Sequence, residues 1–274
     1  MKYSIAISIY NRLPLVKKCL RAVLASTGPD AEILLVNNHP PYPEVQRFLR
    51  SLKHPRVKVL DPGRNLGCHG GNNYALFRSR GRYLVKLDDD IIVPRNNWLA
   101  AMRRTLESFP PLACIAAPWQ PEVLQDQPGQ RVVTRPGIKV KLCYRPLIFG
   151  CVMFRREEWF KHFVFRDSRL YGYEEDWVFQ QIKKMGRRQG YLISHRVLHL
   201  ARRGEDDPLY GMWKVLYAFK FPDPLINSFP VWRKSFKPTT KMVSYLRNWG
   251  YRNLTLEKMQ QLKAGSVKGG KTYV

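Results

Sequence analysis

Apolar residues in the first half of the chain fall into two alternating rhythms. Residues 3–9 (YSIAISI) alternate apolar and small polar side chains, which is the period of a strand. In the stretch that follows (NRLPLVKKCLRAVLAS), Leu15, Cys19, Leu20, Val23 and Leu24 recur at helical spacing. The same exchange repeats. Residues 32–38 (EILLVNN) predict a buried strand, 43–52 a short helix and 57–60 (VKVL) a third strand. A helix over 71–80 then follows a Gly-rich turn, and a fourth strand over 83–87 (YLVKL) runs directly into Asp88, Asp89 and Asp90. Strands and helices in this succession predict an α/β fold with a Rossmann-like, mostly parallel central sheet flanked by helices. Ligands of such sheets bind beyond the carboxyl ends of the strands. Asn37 and Asn38 fall at one such end and the acidic run at another.

The rhythm loosens after an amphipathic helix over 97–109. A strand is expected over 114–119, a Pro- and Gly-rich loop or edge ribbon over 120–137, a strand entering a helix over 147–160, and a helix over 174–186 with an acidic first turn. From Glu205 onward cations and aromatics mix without a strand–helix rhythm, which predicts irregular helices in a basic, mainly helical C-terminal extension. Apolar residues make up 45% and aromatics 12%, the balance of a folded globule. No apolar run approaches the roughly 18 residues of a membrane span. The N-terminus lacks the cationic and long apolar regions of a signal peptide. Five scattered cysteines (Cys19, Cys68, Cys114, Cys143, Cys151) form no CxxC pair and predict neither a disulfide framework nor a zinc cage. A cytoplasmic setting is expected, soluble or peripheral at a membrane, and host cytoplasm if the source is viral.

Two features change the picture. Three adjacent carboxylates repel one another unless a cation or strong donors neutralise them. At the end of a strand they point to a hard divalent ion, Mn²⁺ or Mg²⁺, shared with substrate phosphates. In an extended chain Asp88 and Asp90 would face one way and Asp89 the other. The second feature is charge. Lys and Arg total 47 against 21 Asp and Glu, a net +26 spread along the whole chain, which favours a polyanionic partner, either nucleic acid or an anionic membrane surface. A general compositional bias is the plainer reading.

The blocks YSIAISIYNR, LLVNNHP, RNLGCHGGNN, YLVKLDDD, IFGCVMFRREEWF, YGYEEDWVF and VLH, in this order over residues 3–200, resemble family-two glycosyltransferases with the GT-A fold. The resemblance implies a catalytic domain over 1–204, with a nucleotide-sugar half (1–96) and an acceptor half (97–204), and an extension over 205–274. It places Ile9, Tyr10, Asn11, Arg12 and Asn37 at the donor's base. Asn65, Gly67, Gly71 and Asn73 match the family's N-x-G-x-x-x-G-x-N run, whose glycines permit a ligand to approach the backbone. Asp88 and Asp90 match its DxD, with Asp90 on the metal and Asp88 on ribose or metal, and His199 matches its late histidine, which completes the metal or diphosphate site. His195 is expected to be structural. Glu175 and Asp176 match its ED pair, so Asp176 is the expected base and Glu175 positions the acceptor. Gly150 and Cys151 are expected to line the sugar pocket. Trp177 and Tyr173 are candidates to stack on a sugar, with packing expected for at least one of them. The chain departs from the family at Asn37, usually Asp, which leaves a uridine or thymidine donor open, with a UDP-sugar expected.

The resemblance also implies transfer with inversion. For the acceptor, the basic balance narrowly favours a hydroxymethylated base in DNA, gripped by Arg202, Arg203, Trp232, Arg233 and Lys234. A membrane-surface enzyme acting on a lipid-linked or envelope glycan is the rival reading. A non-catalytic basic nucleic-acid-binding protein and a nucleotidyltransferase are further ones, against which the acidic set and the late histidine speak.

Overall fold

The structure is a computed structural model that describes residues 1–10, 12–38, 43–119, 131–135, 138–165 and 174–200. The backbone groups into two compact units, Met1–Gly204 and Glu205–Val274, and only the first contains described residues. Asn11, Tyr173, Arg202, Arg203, Trp232, Arg233 and Lys234 lie outside them.

The first half forms as its periodicity predicts: β1 (Tyr3–Ile9), α1 (Leu13–Ser26), β2 (Ala31–Asn37), α2 (Pro43–Ser51), β3 (Val57–Leu60), α3 (Gly67–Phe77) and β4 (Tyr83–Leu87). Then come β5 (Ile91–Ile92), α4 (Trp98–Ser108), β6 (Leu112–Ala116), β7 (Val132–Arg135), β8 (Ile138–Cys143) and β9 (Cys151–Arg155). A short α5 (Arg156–Glu158) runs into a π-helical turn over Trp159–Phe163, and α6 (Glu174–Lys184), β10 (Arg188–Leu192) and β11 (Leu198–His199) complete the described elements.

Nine strands make one sheet in the order β3-β2-β1-β4-β9-β6-β10-β8-β7, and β5 and β11 form a separate antiparallel pair. Seven strands run one way, and β8 and β9 run against them. The reversal of β9 matters for the site. Its first residue, Cys151, pairs with Leu87 at the last position of β4. The start of β9 therefore shares a rim with the carboxyl ends of β1, β2 and β4.

Both faces of the sheet are covered, so its strands are apolar on both sides. Ile5, Ile7, Ile9, Ile33, Leu35, Val85 and Leu87 pack one way against Val16, Leu20, Val23, Trp98 and Met102 of α1 and α4. Ala6, Leu34, Val36, Leu84 and Phe154 pack the other way against α3, α6 and the π turn. Alternation puts residue 86 on the second face, among α3 and α6, and there the sequence places a lysine.

Helix α3 begins four residues earlier than the pattern predicts, so the Gly-rich run is its first turn rather than a loop. Gly67 has φ +71°, and a Cβ at Gly71 would lie 2.5 Å from the Ser8 hydroxyl. Gly71 thus permits a close approach between α3 and β1. Of the loop or edge ribbon expected over 120–137, Val132–Arg135 form β7, paired with β8, and 120–130 and 136–137 lie outside the described residues. Strands β8 and β10 were not anticipated.

Candidate active site at the carboxyl rim

The chain turns immediately after β4, with the Ile91 amide donating to the Asp88 carbonyl at 3.3 Å. The three carboxylates therefore do not alternate as they would in a strand. Two internal cations divide them. The Lys86 ammonium contacts Asp88 at 2.7 Å, and Arg12 forks to Asp89 at 2.5 Å and Asp90 at 2.8 Å. Arg12, expected at the nucleotide base, is thus committed to the acidic turn. It holds φ 62° and ψ 47° as the residue capping α1, a left-handed conformation that costs a non-glycine residue on the order of 1–2 kcal/mol. The fork across two buried carboxylates offsets that strain.

Asp88 and Gly150 are brought together by a hydrogen bond from the Asp88 amide to the Gly150 carbonyl at 2.9 Å. Asp90 and His199 meet through β11, where the Leu200 amide donates to the Asp90 carbonyl at 2.9 Å and His199 Nδ1 lies 3.9 Å from Asp90 Oδ2. The His199 ring rests on Trp119, centroids 4.7 Å apart. His195 engages Ser194 and the Asn96 carbonyl, a structural role as expected.

Beneath the turn is a charged cluster that sequence reasoning missed. Lys86 is buried and also donates to the Phe149 carbonyl at 2.7 Å and faces Glu174 at 3.4 Å. Glu174, buried at the start of α6, contacts His69 of α3 at 3.3 Å and accepts from the Cys68 thiol. Burial alone would raise the Glu174 carboxyl, but Lys86 and His69 overcome it and hold it down at about 2. Glu175 shows the opposite balance. Burial and the Glu174 charge push its carboxyl up to about 8, and it accepts from the Phe149 amide at 3.3 Å. Asp176 is exposed in the same turn. Trp177 is turned inward: it packs on the second core layer and its indole N–H donates to the Val164 carbonyl at 3.0 Å, because it flanks the buried face of Glu174, Val178 and Ile182.

At the other end of the rim, Ile9 and Asn37 lie side by side in register, with Tyr10 just beyond. The Asn37 amide donates to Gln46 and to Asp61, each at 3.0 Å, which leaves its buried Oδ1 without a hydrogen-bond partner among the described residues. A carboxylate therefore stands beside position 37 after all, supplied by Asp61 after β3. Asn38 organises the next loop, donating to Ser8 and the Gly67 carbonyl and accepting from Leu66. Asn65 accepts from the Gly67 amide, and Asn73 bonds the Phe165 backbone through both ends of its amide.

Among the described residues no three His, Cys, Asp or Glu side chains gather to hold an ion. A divalent ion held jointly with a diphosphate needs only one or two protein ligands, roughly 3 to 4 Å apart for bonds of about 2.1 Å. Asp90 Oδ2, which also accepts from Arg12, and His199 Nδ1 meet that spacing, and Asp88 beside them has 35% of its side chain exposed. The donor set fits a shared hard cation.

The profile of Glycosyl transferase family 2 matches residues 4–163. The chain belongs to that family. Its sheet order and reversed β9 give the GT-A fold of the family, shared with solved structures at TM-scores above 0.5. S. aureus TarS 1-349 in complex with UDP-GlcNAc superposes at TM-score 0.55 with 13% identity, over 96% of this chain and 78% of that one. The mannosyltransferase PcManGT from Pyrobaculum calidifontis, bound to GDP-Man and Mn²⁺, gives 0.53 and 16% over 99% and 76%. GalNAc-T7 with UDP, GalNAc and Mn²⁺ gives 0.58 and 14%, over 97% of this chain and 57% of that one. In sequence, "Putative colanic acid biosynthesis glycosyl transferase WcaA" of Escherichia coli (strain K12) is 27% identical over 95 residues, 33% of this chain and 34% of that protein. The chain thus matches about a third of that relative's length. No helix among the described residues is long and apolar enough to cross a membrane.

Proposed function

We propose that the protein is an inverting glycosyltransferase that moves a sugar from a nucleoside diphosphate sugar, a UDP-sugar by preference, to an acceptor hydroxyl. The observation that carries this reading is the convergence of Asp88, Asp90, His199, Gly150 and the first turn of α6 on one rim of the sheet. Asn37 Oδ1 and Asp61 receive N–H groups of the base. Asp90 and His199, with Asp88 beside them, would hold Mn²⁺ or Mg²⁺, which would neutralise the charge growing on the leaving diphosphate. Gly150 and Cys151 border the sugar. The acceptor oxygen bonds to the anomeric carbon as the carbon–phosphate-oxygen bond breaks on the opposite side, and Asp176 removes the acceptor's proton. Glu175, with its carboxyl at about 8, carries a proton near neutrality and orients the acceptor as a hydrogen-bond donor. Asp176→Asn should retain UDP affinity within about threefold and lose about 100-fold or more in transfer. Undiminished transfer would move the base elsewhere.

For the acceptor, the net charge of +26 supports a hydroxymethylated base in DNA. The colanic acid relative supports a second reading, an envelope or lipid-linked glycan. Labelled sugar on hydroxymethylated DNA decides for the first. Label only on a glycan or lipid-linked fraction, with retention on acidic liposomes, decides for the second.

A further inference from the structure

We infer that Lys86 is a positioning residue that couples the donor side of the site to the acceptor side. The inference rests on the glycosyltransferase reading and goes beyond it, because no function so far described uses this residue. Lys86 stands two positions before Asp88, on the strand face turned toward α3 and α6. Its ammonium is sealed from solvent and meets three groups on three different segments. These are Asp88 of the acidic turn at 2.7 Å, the Phe149 carbonyl beside the sugar pocket at 2.7 Å, and Glu174 of α6 at 3.4 Å.

The geometry at Phe149 closes the circuit. Its carbonyl accepts from Lys86 while its amide donates to Glu175. One residue, through the two peptide units that flank it, therefore ties the strand carrying the acidic turn to the helix that bears Glu175 and Asp176. Glu174 is also met from the far side by His69 and Cys68, so a shift of the first turn of α6 changes its contact with the lysine. A buried ammonium aligns all three groups only while each keeps its place. A change in charge at Asp88, such as the arrival of a cation and diphosphate, alters the pull on Lys86 and is passed to Phe149 and the start of α6. An apolar side chain at 86 would satisfy the core and break that link.

The test uses Lys86→Met together with Glu174→Gln, which removes the buried cation and its buried partner on α6 at once, so that the Glu174 charge is not left without its cation. Hydrogen exchange is followed at residues 148–151 and 174–178 with UDP and Mn²⁺ added, and transfer is compared with hydrolysis of the same donor by water. In the wild type, UDP should slow exchange in both segments. In the double variant, UDP should still bind, protection at 174–178 should vanish, and the ratio of transfer to hydrolysis should fall at least tenfold. A folded variant with protection of α6 and an unchanged ratio overturns the coupling alone, and so does an equal loss of both reactions. A wild-type protein that binds no UDP overturns the donor-site reading, and the coupling with it.

Discussion

The two ends of the sheet use ion pairs differently. At the opposite edge, Arg103 pairs with Glu107 and Arg155 with Glu158, three or four residues apart on one segment, with side chains 22–40% exposed. Such pairs are screened and contribute roughly 0–1 kcal/mol. At the carboxyl rim, Arg12 reaches Asp89 and Asp90, and Lys86 reaches Glu174, across separate elements, with every one of these side chains 9% exposed or less. Charges removed from water survive only when each has a partner. The rim therefore holds its charge in place by mutual dependence, whereas the Arg103–Glu107 and Arg155–Glu158 pairs stay open to screening by water.

The sharpest way to break this contrast is Arg12→Ala. It removes the guanidinium shared by two buried carboxylates and should lower unfolding free energy by about 3–5 kcal/mol in denaturant titration. A loss below about 1 kcal/mol would place the rim in the same class as the opposite edge.

The pH dependence sharpens it from the other side. The Glu175 carboxyl is raised from 4.5 to about 8 in the folded protein, so the unfolded chain loses its proton first. Its contribution is full below pH 4.5 and is lost as pH rises toward 8. Glu174, lowered to about 2, acts in reverse: its contribution is present above pH 4.5 and lost as pH falls toward 2. Glu175→Gln should therefore stabilise the protein at pH 8 relative to wild type, with the difference shrinking toward pH 4.5, as thermal melts at the two pH values would register. An advantage that grows on acidification would contradict the assignment. The smallest effect belongs to Arg103→Ala, expected to change stability by less than about 1 kcal/mol in the same titration.

What the sequence revealed follows the same division. The alternating rhythm located the strands of the first half and their carboxyl ends, and local motifs singled out Asp88, Asp90, Glu175 and Asp176 as candidates. Pairings between distant segments were not legible. Nothing near Arg12 says that its guanidinium crosses to a turn 77 residues away, and nothing near Asn37 names Asp61. Strand β10 (RQGYL) contains a glycine that strand propensity disfavours. The reason is tertiary: a Cβ at Gly190 would lie 2.6 Å from the Lys141 carbonyl of β8. Lys86 did leave a signal. A lysine inside YLVKL, two residues before Asp88, shares a strand face with it, and a cation in an otherwise buried strand announces a buried anion.

The account depends on the acidic rim gripping a nucleoside diphosphate through a divalent ion. Calorimetric titration of UDP into wild type and Asp90→Ala, each with Mn²⁺ and with chelator, tests this directly. Mn²⁺ should tighten UDP binding by about tenfold or more in the wild type, and Asp90→Ala should abolish that gain. Equal affinity with and without Mn²⁺, or a gain that survives in Asp90→Ala, would contradict it.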